Sequence, residues 1–236
     1  MGDTLLDNLD LADAIIERPQ GFHIGHRQFY LYPVTLGKMY LLARLIDSLK
    51  INEDNLRVNA FLEALRIVGK NKETVCRIIA YHTCKSKEEV FNNILVKKRV
   101  SLLQTQGIND LTTLFIMVLQ TEKTSVYIKR LHIDDEQKRM HEVMKMKDNS
   151  NVLSFGGKSI YGTLIDAACE RYGWTYDYVV WGISYTNLRL MLADSIKTIT
   201  LSDKERKRLH IHDNNEVVNG NDKEAINEFI RTHNFR

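Results

Sequence analysis

Only two of the 236 residues are proline, Pro19 and Pro33, and none follows Pro33. Proline removes an amide donor and clashes with the preceding turn, so its scarcity leaves long stretches free to be helical. An average chain of this size would carry about a dozen. Hydrophobic residues make up 44% and charged residues 27% of the chain, a globular composition rather than a disordered one. The length suits one large domain or two small ones, with enough chain to bury a core. Lys and Arg number 33 against 30 Asp and Glu, and a net charge of +3 is too small to imply a nucleic-acid partner. Three cysteines cannot close a disulfide framework and fit a reducing compartment. No apolar run reaches membrane-spanning length, and the acidic start lacks the basic-then-apolar order of a secretory signal. A soluble, intracellular, mainly helical protein is expected.

Residues 1–19 read as an acidic amphipathic arm. Asp3, Asp7, Asp10, Asp13 and Glu17 face a single Arg18, while Leu5, Leu9, Ala12 and Ile16 recur at helical spacing. A helix this short is marginal alone, so the stripe is expected to pack, first of all within its own molecule. Residues 20–147 read as a β-hairpin plus a helical domain. The alternation in FHIGHRQFYLYP around Gly25-His26 predicts the hairpin, closed by Pro33. From Thr35, placed as an N-cap, the spacing becomes helical through Leu49. Further helices are predicted over Asn59–Val68, ending at Gly69, and over Glu73–Tyr81. Another follows a Ser86–Glu89 capping box through Val90, Phe91 and Ile94. The segment Leu111–Gln120 is apolar on nearly every face and is the candidate central helix; Asp134–Lys147 is a charged, solvated one leading to a polar loop. Residues 148–200 read as a C-terminal helical subdomain: Ser159–Tyr172 stopped by Gly173, then Thr175–Trp181 and Ser184–Ile196. Residues 201–236 read as a polar, mobile tail with a Ser202–Glu205 capping box and a short helix at Ala225–Ile230. The fold class is therefore mainly α: a helical bundle-like domain with a short N-terminal β-hairpin and a weakly packed C-terminal tail.

Chemical motifs are weak. Gly156-Gly157-Lys158-Ser159 looks like the end of a phosphate loop, but Val152 stands where the first glycine must be, and a helix entry capped by Ser159 explains it. Cys76, His82 and Cys84, and His210, His212 and Asp213, lack the paired tight-turn spacing of a zinc site; Cys76 and Cys169 read as small core residues. His23 and His26 straddle the hairpin turn as surface residues. Asp134-Asp135 opens a helix, where the dipole favours negative charge. The basic runs Lys97-Lys98-Arg99 and Lys204, Arg206, Lys207, Arg208 carry no aromatic ladder and read as solvated faces. No catalytic constellation, cofactor or metal is expected.

The densest signal is Tyr172 to Ile183, which holds both tryptophans. Such rigid aromatic surface is a core centre, a recognition surface, or both. Leu188, Met191, Leu192 and Ile196 continue at helical spacing and form one wall of an apolar groove if they face outward. The order Tyr172-Gly173-Trp174, Asp177-Tyr178-Val179, Trp181, Ile183, then Leu188 and Leu192 resembles tail-assembly chaperones of long-tailed bacteriophages and prophages. In those chains a helix turns at a Gly-Trp pair and presents a D-x-V-x-W-x-I-like segment before a leucine helix. The run Gln28 to Gly37, with Pro33, Thr35, Leu36 and Gly37, is similar to the strand-Pro-x-Thr-Leu-Gly entry into their first helix. The intervening helices match only in type.

The resemblance implies a non-enzymatic role in a bacterial host's cytoplasm. Such proteins keep a helical tape-measure protein soluble and are displaced as tail-tube subunits polymerise around it. It implies a partner-binding groove, with Trp174, Tyr178, Trp181, Leu188 and Leu192 expected to line it or to form its supporting wall. Leu5 and Leu9 are expected to mediate self-association between neighbouring copies. Tape-measure protein and tail-tube subunits are the implied partners, with neither membrane nor nucleic acid among them. The alternatives are a structural protein of the virion or of an injection-type particle and, behind it, a helical DNA-binding protein.

Overall fold

The computed structural model describes residues 2–146 and 155–209. The chain forms two compact units, residues 1–137 with 154–196, and residues 138–153 with 197–236. The chain begins with α1 (Gly2–Ile15), then β1 (Gln20–Ile24) and β2 (Arg27–Leu31). The helices α2 (Leu36–Ser48), α3 (Glu53–Val58), α4 (Ala60–Lys70), α5 (Lys72–His82) and α6 (Lys87–Phe91) come after them. Next are α7 (Asn93–Gln104), α8 (Ile108–Leu119), α9 (Thr124–Arg130) and α10 (Ile133–Met146). A π-helical turn at Tyr161–Ile165 opens α11 (Asp166–Tyr172), and a second, Tyr178–Gly182, precedes α12 (Tyr185–Ala193). The short α13 (Asp203–Arg208) belongs to the second unit.

The hairpin pairs Phe22 with Phe29 across an antiparallel register, and their rings stack at 5.7 Å. Gly25, at φ 59°, supplies the left-handed residue that a two-residue turn needs. Alternation buries Phe22, Ile24 and Leu31 on one face, against the helices.

Asparagine writes several of the helix boundaries. Asn52, Asn59 and Asn92 each accept a hydrogen bond from the amide three residues on, so each starts a helix. Asn92 thereby splits the single helix expected after Ser86 into α6 and α7, and Asn52 sets off α3, which periodicity missed. Gly69 is not a stop: α4 runs through it to Lys70. Thr35, Ser86 and Ser184 cap α2, α6 and α12 as hydroxyl residues should. The Glu89 carboxylate accepts from the amide of Lys85 rather than from that of Ser86. Gly173 ends α11 at φ 65°. In the second unit, Ser202 N–H donates to Glu205 at 2.7 Å and the Ser202 hydroxyl accepts from the Glu205 amide, a reciprocal capping box.

The main core is built around α5. Val75, Cys76, Ile78, Ile79 and Ala80 are all sealed from solvent, and the helix packs on α2, α4, α7, α8 and β2. The apolar α8 buries Leu111, Leu114, Phe115 and Val118 beside it but leaves Thr113 outside. The central position is therefore shared, with α5 the more enclosed. A second cluster gathers Leu36, Leu164, Ile165, Ala168, Val179, Val180, Ile183 and Leu188. A third joins Tyr127, Ile133 and Leu190 to Leu11 and Ala14 of α1.

That third cluster corrects the reading of the arm. Leu11 and Ala14 face the body, while Leu9, Ala12 and Ile16, on the stripe expected to pack inward, are exposed. The helix is rotated because α1 is tied by polar contacts as well. Lys123 pairs with Asp10 at 2.7 Å, and the Tyr127 hydroxyl donates to the Asp10 carbonyl. Likewise, the described residues of the 148–200 segment as far as Ile196 share the first unit with the hairpin. The polar loop at 147–151 and the tail helix at Ala225–Ile230 lie outside the described residues.

Two buried bases sit beneath the hairpin. Lys38 is sealed in the core with its ammonium donating to the Cys84 carbonyl, and burial lowers its pKa to about 8. His82 hydrogen-bonds through Nδ1 to the Ile78 carbonyl at 2.9 Å, and burial lowers its pKa from 6.5 to about 4. The unfolded chain therefore takes up a proton before the folded one does. The stability from neutral His82 is fully present above pH 6.5 and is lost as pH falls through 4. The loss should reach about 3 kcal/mol. Denaturant titrations between these pH values should show it, and His82→Gln should flatten most of the slope; an unchanged slope would exonerate His82.

Candidate functional site

The sequence and backbone combine to leave an apolar cleft of about 770 Å³ open on the first unit. Four stretches build it. Ile15, Ile16 and Glu17 come from the end of α1, and Leu131 and Ile133 from the junction of α9 and α10. Tyr172, Trp174, Tyr178 and Ile183 come from the aromatic segment. Leu190, Met191 and Ile196 come from α12 and the segment just beyond it. Their exposure is the telling quantity: Ile16 is 65% accessible, Tyr178 44%, Met191 39% and Ile196 86%. The apolar side chains are thus grouped on one face and left uncovered.

An aromatic ladder forms one wall. Tyr172 stacks on Trp174 at 4.6 Å, and Tyr178 meets Trp174 edge-on at 5.1 Å. The Tyr172 hydroxyl donates to the Met191 carbonyl, and Arg171 lies over the Tyr172 ring while donating to the Ile196 carbonyl at 3.2 Å. Those bonds fix the exit of α12, which ends at Ala193 instead of running to Ile196. The opposite rim is held by Glu17. Its carboxylate accepts from the Ser184 amide at 2.8 Å and from the Asn187 amide group at 3.0 Å, while Asn187 also donates to the Ile15 carbonyl. Glu17 adopts φ 56°, an uncommon conformation for a residue with a side chain, and its carboxylate is spent on this clamp.

The residues singled out from sequence do not form one surface. Trp174 and Tyr178 line the cleft, both incompletely buried. Leu188 is 0% exposed and belongs to the second core cluster, and half-buried Leu192 packs against that cluster from behind. The i, i+4 pair is thus the inward face of α12: of the two expected places, groove lining and supporting wall, Leu188 takes the second. Trp181 points elsewhere, edge-on to Phe91 at 5.5 Å and flat against Gly37 at the start of α2. Leu9 lies on the outward stripe of α1; Leu5 falls in the same helix, with its side chain outside the described residues. Sequence reasoning missed Ile15, Leu131 and Glu17. The adjacent Ile15-Ile16 pair, too wide for one stripe, was the available signal.

The polar motifs fall away from the cleft. Ser159 accepts from the Gly162 amide as a helix entry. Cys84 contacts Arg99 and the Ala80 carbonyl, and burial pushes the Cys76 thiol up to about 11. Cys169 packs against the second cluster. His210, His212 and Asp213 lie outside the described residues.

Two substitutions separate wall from surface. Leu188→Ala should cost about 2–5 kcal/mol in denaturant unfolding, as a fully enclosed leucine does. A Cβ at Gly37 would lie 2.8 Å from the Trp181 indole, so Gly37→Ala must displace that ring. A loss of about 1–3 kcal/mol and a shifted tryptophan emission are expected; wild-type stability and emission would remove Trp181 from its place.

No family model matches this chain, and neither the curated proteins nor the solved structures contain a significant match.

Proposed function

We propose that this protein is an assembly chaperone of the phage-tail kind, holding an amphipathic helical segment of a tape-measure protein until tube subunits displace it. The observation that carries this reading is the open cleft, with Ile16, Tyr178, Met191 and Ile196 presented together and uncovered. A groove of this kind takes the apolar face of a helix at i, i+3/i+4 and i+7 spacing. Its shape suits release as well as capture. The walls are fixed by Glu17 and Arg171, and their polar bonds lie within the protein, so a partner is held by apolar contact that dissociates readily. Met191 adds a side chain that adjusts to different target residues, which a coat along a long helical protein requires. Shielding such a partner suppresses the aggregation its exposed apolar stripe would otherwise cause.

The decisive experiment uses exposed residues, because replacing Leu188 would merely unfold the wall. Met191→Glu with Ile196→Glu should weaken co-purification with a helical tape-measure fragment about tenfold or more. Circular dichroism should stay helical, and the fragment should aggregate faster in light scattering. Retention equal to that of the wild type would place the partner elsewhere and remove the cleft from the function.

A further inference from the structure

A second face of the first unit joins apolar and basic side chains. Phe29 of β2 and Ile94 and Leu102 of α7 floor a shallow groove of about 850 Å³, edged by Arg27, Lys97 and Lys98. Ile94 is 69% exposed, and Arg27, Lys97 and Lys98 are exposed without a salt bridge among the described residues. Their neighbour Arg99 is turned inward to Glu89. The spacing explains the face: Ile94, Lys97, Lys98 and Ser101 are one side of α7, and Val96 and Leu103 are buried on the other.

The same chain carries the complement. Among its fourteen residues, α1 has Asp3, Asp7, Asp10 and Asp13 and neither Lys nor Arg, and of these Asp10 pairs with Lys123 and Asp13 with Arg18. Its outward stripe shows Leu9, 58% exposed, with Ala12 one turn beyond it. The helix stays docked on its own body through Leu11, Ala14 and the Lys123–Asp10 pair, so it can offer that stripe without being pulled away. We propose that copies of this chain associate head to tail, the outward stripe of α1 in one copy seating in the basic apolar groove of β2 and α7 in the next. Opposite charge steers the encounter and fixes the orientation, and apolar contact holds it. The two surfaces differ, so the contact is heterologous and each added copy leaves a free helix at one end and a free groove at the other. Leu9 and Ala12 lie outside the cleft that carries the chaperone reading, so this inference does not depend on it.

Sedimentation velocity on the full chain, from about 1 to about 200 µM, tests it. The expected result is an average mass that grows with concentration and falls as salt rises from about 0.05 to about 0.5 M. Leu9→Glu removes the stripe; Lys97→Glu with Lys98→Glu reverses the groove. Each variant alone should be monomeric, at least about tenfold weaker in self-association. Mixed together they should form a one-to-one dimer, since each keeps the surface the other lacks; that dimer also proves both variants folded. The cleft variant Met191→Glu with Ile196→Glu should self-associate like the wild type, which separates this result from the fate of the chaperone reading. A wild type monomeric throughout, a variant that still polymerises, or a mixture that stays monomeric would each overturn the proposal.

Discussion

The arrangement depends on a very short antiparallel contact. Thr35 bridges Ser184, and the Tyr185 amide donates to the Val34 carbonyl at 2.7 Å. On either side of it stand two helix starts, since Thr35 caps α2 and Ser184 caps α12. The contact thus fastens the beginning of one helix to the beginning of another far along the chain. Trp181 closes the joint by lying on Gly37, and it touches both the main and the second apolar cluster. Glu17 reaches the same place from α1 by accepting from the Ser184 amide. A few backbone groups therefore determine where α1, α2 and α12 meet, and with them both rims of the cleft. Such bonds are individually worth about 1 kcal/mol, so their importance is geometric more than energetic.

Much of the architecture is legible in the residue order. The hairpin is signalled by Gly25 between alternating apolar residues, and the caps at Thr35, Ser86 and Ser184 by hydroxyls placed before apolar periods. Where reading failed, local chemistry beat periodicity. Asn52 and Asn92 start helices that an apolar count runs past, because a side-chain acceptor three residues before an amide outweighs a modest stripe. The rotation of α1 was not legible at all. Both Leu9 and Leu11 are leucines in a helix, and only the position of Tyr127 and Leu190, more than a hundred residues away, decides which one is covered.

The site was half legible. The aromatic density at Tyr172–Ile183 did lead to one wall of the cleft through Trp174 and Tyr178. Spacing alone could not tell the inner side of α12 from the outer, so Leu188 and Leu192 looked equivalent to Met191, although one is sealed and another exposed. The opposite wall comes from the end of α1 and the α9–α10 junction, which no local pattern connects to the aromatic segment. Surfaces assembled from distant pieces are invisible to a reading along the chain; surfaces built from one helix are not.

The two π-helical turns give this region an unusual sensitivity. In each, an amide reaches back five residues, as Ile183 does to Tyr178, so the chain holds one residue more than an α-helical path between the same two points needs. Each residue added to or taken from a helix rotates the rest of that helix by about 100°. The aim of the aromatic rings is thus a matter of residue number as well as of residue type. Loss of a single position from either turn would leave a smoother helix and a redirected set of rings, making insertions and deletions here more consequential than most substitutions.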